Sequence, residues 1–192
     1  MTVFLEILMA AFASITLENV IFNSAVGTST LIECAKKPRQ MFSFGLFLSV
    51  FSILASIITF FVEPLMSTDR ILQRFIPSLY ILSLGVVYVI ILLFIWKVVN
   101  KKFKYLSRFV HLTAFNCASL GCLFMNDLSS GTLSDRVIFA LSIGLGFMLA
   151  TYLLSINYKR LVSSEVPIAF RGFPVTVLYI GIISMLIYAC NM

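Results

Sequence analysis

Six apolar runs set the terms for any fold this chain can adopt. They lie at roughly Val3–Ile32, Met41–Val62, Phe75–Val99, Phe109–Met125, Arg136–Ile156 and Phe173–Cys190. A helix needs about 20 apolar residues to cross a bilayer, so each run reads as one membrane span. The first is long and carries polar residues in its second half, and the fourth is short and interrupted. The loops are short, which packs the spans into one bundle. Only 11% of the 192 residues are charged and 60% are hydrophobic, too little polar surface for a water-soluble domain of this size. The opening "MTVFLEILMAAF" has no basic stretch before its apolar run and reads as a retained helix rather than a cleaved signal. The expected fold is an all-α integral membrane protein of six transmembrane helices in a single domain spanning residues 1–192.

A net charge of +6 would suit a nucleic-acid binder, but the basic residues sit in short loops between spans, where a membrane orientation accounts for them. Lys36, Lys37, Arg39, Lys97, Lys101, Lys102, Lys104, Arg108, Lys159, Arg160 and Arg171 fall in the first, third and fifth loops. Only Arg70, Arg74 and Arg136 fall on the other side. Eleven against three places the first set in the cytoplasm and both termini outside. Three spans in each half then give the halves opposite orientation, an inverted repeat of about 1–100 and 105–192. "FNSAVG" at Phe22–Gly27 echoes "FNCASLG" at Phe115–Gly121, each in the first helix of its half. Non-helical backbone inside a membrane is tolerated where it is buried in protein or lines a site. Paired interruptions point to a site near the midplane, and close packing through small residues is the competing account.

Cys117 lies inside the second interruption, where freed backbone amides would stabilise a thiolate able to bind iron. Cys122 is five residues on, about 140° round a helix, and reads with Cys190 as packing. Cys34 stands beside Lys36 and Lys37, a setting that would lower its pKa, although a structural role is favoured. Glu18 is the clearest intramembrane charge, about 22 Å along a helix that starts near Val3. With Asn19 and Asn23 it suits an ion or proton path, and a protonated carboxyl bonded to a neighbouring helix is the alternative. Gly27, Asn116 and Gly121 mark the helix breaks. Glu6 and His111 read as interfacial. The four cysteines form no C-x-x-C pair, and the chain has no Walker motif, G-x-G-x-x-G or triad-like grouping. A nucleotide or flavin would belong to another subunit.

Four motifs carry a resemblance over nearly the whole chain. They are "LENVIF…G" at Leu17–Gly27, "KK" at Lys36–Lys37, "NCASLG" at Asn116–Gly121 and "VPIAFRG" at Val166–Gly172. In that order and spacing, the chain resembles the RnfA/NqrE-type membrane subunits of the Rnf and Na⁺-translocating Nqr complexes. The resemblance implies two inverted three-helix repeats with broken first helices, in a bacterial cytoplasmic membrane. It also implies a related RnfE/NqrD-type partner. The two subunits would share a 2Fe-2S cluster, each giving one cysteine from each half. Partner subunits would handle ferredoxin and NAD, with Na⁺ or H⁺ moved across the membrane. This chain departs from the pattern at one ligand: Ser29 stands where the family has its first-half cysteine, so Cys117 alone carries over. A cluster-less member acting as a transporter or structural partner is the alternative reading.

The charge asymmetry makes a testable prediction. In a variant lacking the other cysteines, Cys190 reacts with an impermeant thiol reagent from outside. In a cysteine-free background, Lys102→Cys reacts only from the cytoplasmic side. The reverse labelling pattern overturns the orientation.

Overall fold

The computed structural model describes residues 22, 24–66, 73–98, 103–128 and 132–190. The expectations for Glu18, Asn19 and Asn23, and for most of the first span, lie outside these residues. Among the described residues the regular elements are seven helices and no strand: α1 (Thr28–Ala35), α2 (Pro38–Met66), α3 (Ile76–Val98), α4 (Phe103–Ala114), α5 (Cys117–Leu128), α6 (Leu133–Leu161) and α7 (Phe173–Cys190). Three of them contain stretches long and apolar enough to cross a membrane, Gln40–Pro64, Ile76–Lys97 and Leu133–Leu161. Cys117–Asn126 and Phe173–Ala189 are apolar but shorter.

Helix starts follow local chemistry. Pro77 stands in the first turn of α3, where a missing N–H costs nothing. At the head of α6 the Asp135 carboxylate accepts from the Thr132 N–H at 2.9 Å and from its hydroxyl at 2.8 Å. This ties down donors that a helix start leaves unpaired. Several boundaries differ from those read in the sequence, and α2 exceeds the expected Met41–Val62 at both ends. α4 begins at Phe103, so Lys104 and Arg108 belong to a helix and not to a loop. Its buried side chains, Phe109 and Val110, reward helical packing once the chain re-enters the bundle. α6 begins a turn before the expected Arg136 and ends beyond Ile156.

α2 is the central strut. It packs along α6 over more of its length than any other pair of helices achieves, and it also meets α1, α3, α4 and α5. One face of α2 enters a core with α1, α5 and α6, built on Leu31, Phe44, Leu48, Ala140, Phe147 and Leu154. Here the Phe44 and Phe147 rings lie 4.8 Å apart. Another face enters a second core with α3, α4 and α5, through Phe51, Ala55, Tyr80, Val87, Val110 and Leu123. Outside these cores α3 and α7 expose rows of large apolar residues, among them Leu82, Leu93, Phe94 and Trp96 on α3 and Ile182, Met185 and Leu186 on α7. Such surfaces belong against lipid or other membrane helices.

The α2–α6 contact is close because the residues at the crossing are small. A Cβ added at Gly144 would lie 1.8 Å from the Ser49 Oγ and 2.7 Å from the Gly45 carbonyl oxygen. Backbones this near each other are the signature of small-residue packing between membrane helices. Ser49 itself donates back to the Gly45 carbonyl at 3.1 Å. Gly144→Ala therefore destabilises by about 1–3 kcal/mol. Gly85→Ala, where an added Cβ meets nothing within 4 Å, leaves stability unchanged or raised. Thermal unfolding of the two variants in detergent checks the contrast.

Candidate functional site

The two interruptions meet in space. The first is set by Gly27, whose φ of +82° lies in the left-handed region that only glycine adopts without cost. α1 starts directly after it. The Gly27 carbonyl accepts the Leu31 N–H at 3.0 Å and the Thr30 hydroxyl at 2.8 Å. The second falls at Phe115–Asn116, between α4 and α5. Asn116 Oδ1 accepts the Ala118 N–H at 3.2 Å, the bond expected of an N-cap side chain. The last turn of α4 is served from beyond the break, by the Ser119 hydroxyl donating to the Thr113 carbonyl at 2.9 Å.

A side chain at position 27 would place its Cβ 3.0 Å from the Ala118 Cβ and 3.3 Å from Asn116 Oδ1. Glycine is thus required twice there, by conformation and by space. The Thr30 hydroxyl lies 3.3 Å from Asn116 Oδ1 as well, so a single hydroxyl serves both breaks. Asn116 is buried, and its Nδ2 has no hydrogen-bond partner among the described residues. Buried donors without a partner are rare.

The candidate ligand residues sit at the edge of this junction. Cys117 is the first residue of α5 and Ser29 the second of α1, and both are exposed on this chain. Cys117 and Asn116 open onto a pocket of ≈ 200 Å³ walled by Ile81, Leu84, Gly85, Ala114, Phe115 and Leu120. Among the described residues no three His, Cys, Asp or Glu side chains come together as a metal site. Among the described residues the junction offers the accessible Cys117 thiol, the exposed Ser29 hydroxyl and the N-terminal turns of two helices.

Other residues take different places from those expected. Gly121 lies in the body of α5, a turn beyond the break, and takes no part in it. His111 is held on α4 by Tyr88, whose hydroxyl is 2.8 Å from Nδ1. Burial and the neighbouring Glu33 carboxylate push the Cys34 thiol up to about 11, opposite to the lowering that Lys36 and Lys37 suggested. Those two lysines are exposed, where water screens them. Arg136 is not a loop cation. It is buried on α6 and paired with Glu63 of α2 at 2.6 Å. That pair, and the Asn126–Ser56 hydrogen bond of 2.9 Å, escaped the sequence reading. The signal for them was present in α2, whose Ser52, Ser56, Thr59 and Glu63 recur at helical spacing.

Loss of the Asn116 cap has a defined cost. Asn116→Ala leaves the Ala118 N–H without its acceptor and destabilises by about 0.5–2 kcal/mol, whereas Asn116→Ser, which keeps a capping oxygen, recovers most of the loss. Thermal melts of the two variants check this.

Known proteins resemble this chain over nearly its whole length. A family described as "Rnf-Nqr subunit, membrane protein" matches residues 7–192. The chain is 22% identical over 180 residues to one subunit of the ion-translocating oxidoreductase complex of Aliivibrio fischeri, covering 94% of this chain and 93% of that protein. It is 25% identical over 175 residues to the subunit of the same name from Buchnera aphidicola, with 90% of each covered. It is 24% identical over 197 residues to one subunit of the Na(+)-translocating NADH-quinone reductase of Chlamydia pneumoniae, covering 96% of this chain and 75% of that protein. With the family match spanning almost its entire length, this chain belongs to the Rnf-Nqr family of membrane subunits.

Proposed function

We propose that this protein is a membrane subunit of an Rnf-type complex, coupling electron transfer between ferredoxin and NAD to movement of Na⁺ or H⁺. The carrying observation is the contact between the two helix breaks across Gly27, Asn116 and Ala118, with Cys117 on its exposed edge. In this reading the chain crosses a bacterial inner membrane six times, as inverted repeats of about 1–100 and 105–192, with both termini outside. Ferredoxin and NAD are bound by other subunits. Gly27 and Asn116 shape the breaks, and Glu18, Asn19 and Asn23 belong to an ion or proton path. An RnfE/NqrD-type subunit docks on the Cys117 edge.

A 2Fe-2S cluster takes four ligands, preferably thiolates. This chain brings one thiol, at Cys117, and a serine hydroxyl at position 29. Its own donor set does not fit a cluster. A serine must lose its proton to bind iron well, and making that charge in an apolar setting is costly. The cluster in this complex is accordingly held by Cys117 together with residues of the partner, and held weakly. Ser29 also favours a second reading, a cluster-less family member working as a transporter or structural partner.

Iron analysis separates the two. In the complex purified anaerobically, Cys117→Ser lowers iron content and the EPR signal of the reduced cluster, and Ser29→Cys raises both. An unchanged cluster in Cys117→Ser overturns the assignment of Cys117. Iron absent from the wild type and from Ser29→Cys alike selects the cluster-less reading.

A further inference from the structure

The polar residues of α2 form a face of their own. Ser49, Ser52, Ser56, Thr59 and Glu63 recur at intervals of three and four, which aligns them along one side of a helix. Ser49 is consumed by the crossing with α6. Ser52, Ser56 and Thr59 are completely buried. α5 answers with Asn126, Cys122 and Ser119, on one face by their spacing and continued by the Asn116 cap before its first turn, all of them all but inaccessible. Asn126 Nδ2 donates to Ser56 Oγ at 2.9 Å and approaches the Cys122 sulfur at 3.7 Å. Cys122 in turn lies beside Ser52 and Ser56. Ser52 Oγ has no hydrogen-bond partner among the described residues. From Ser52 to Glu63 this seam rises about 16 Å, roughly half the thickness of a bilayer core.

The seam ends in a charged pair. Glu63 and Arg136 are 2.6 Å apart, with side chains only 14% and 9% exposed. The guanidinium carbon stands 5.3 Å from the centre of the Phe60 ring, and Nε of Arg136 is buried with no partner among the described residues. A pair kept purely for stability would have its donors satisfied, because desolvation consumes most of what the charges gain. The end of α2 is also rich in negative potential beyond the carboxylate. Pro64 lies inside the helix and has no N–H to give to the Phe60 carbonyl. The final carbonyls of α2 carry the negative end of the helix dipole. Charged side chains within membrane segments characteristically mark ion pathways.

We propose that Glu63 is the acidic ligand of a monovalent-cation site at the end of α2, and that Arg136 is a tethered competitor for it. The proposal deepens the ion-translocation reading and rests on it. Carboxylate and guanidinium together are neutral. A sodium ion or a proton arriving while Arg136 stayed in place would leave uncompensated positive charge in an apolar setting. Occupancy therefore requires Arg136 to leave. Arg136 lies in the first turn of α6, close enough to the helix end for its long side chain to reach outward. The hydroxyl and amide seam leads from the same carboxylate towards the helix break at Asn116.

The test uses the full chain in lipid nanodiscs, with the unfolding temperature followed against NaCl, choline chloride holding ionic strength constant, at two pH values. If sodium is the ligand, Arg136→Gln responds to Na⁺ at a concentration at least tenfold lower than wild type. The double variant Glu63→Gln with Arg136→Gln shows no Na⁺-specific response. If the ligand is the proton, the two salts act alike, and Arg136→Gln shifts with pH where the double variant does not. Should Arg136→Gln fail to fold, Arg136→Lys keeps the charge but grips the carboxylate less well, and shifts the midpoint in the same direction. Equal Na⁺ and pH responses in a folded single variant and the double variant overturn the site. The iron content of the complex is a separate measurement, so either idea can fail alone.

Discussion

In an apolar surrounding every backbone donor and acceptor has to find its partner inside the protein. The junction of the two breaks is organised by that demand. Ending α4 at Ala114 and starting α5 at Cys117 frees carbonyls on one side and N–H groups on the other. Asn116 and Ser119 settle them with side-chain bonds to Ala118 and Thr113. Gly27 then lets α1 begin in contact with the same residues. Without those few polar side chains, a thiol could not be placed at a helix start within the bundle.

The same helix that braces this junction carries the chain's buried ion pair. α2 divides its surface by chemistry: large apolar residues enter the two cores, while the serines, Thr59 and Glu63 share a narrow polar face. At one end of that face the small residues permit a close crossing with α6. At the other they give way to charge, with Arg136 supplied by the same helix α6. One helix pair thus combines tight packing with a charged terminus, and the polar face between them is closed by Asn126 of α5.

Much of this was legible in the sequence. Length and hydropathy revealed the long helices, because about 20 apolar residues have few other destinations. The clustering of Asn, Ser and Gly in "NCASLG" located the break at Asn116, since these residues favour caps over helix interiors. Contacts between distant segments were less visible. Nothing local says that Glu63 faces Arg136, and a charge at the edge of an apolar run looks the same whether it meets water or a partner. The pKa of Cys34 was misjudged for a related reason: the adjacent lysines are obvious in sequence, while burial against residues far along the chain is not. Helix boundaries shifted by one to two turns at α4 and α6, where amphipathic ends blur the hydropathy signal.

The absence of clearance between Gly144 and Ser49 also governs how the bundle can rearrange. Two helices whose backbones touch cannot slide by a fraction of a turn without collision. Nor can they separate without losing the dispersion contacts that hold them together. α2 and α6 consequently behave as one rigid beam. The short helices α1 and α5 meet at Gly27 and Asn116 instead, beside that beam. Thr30, whose hydroxyl meets both breaks, ties the start of α1 to the cap of α5.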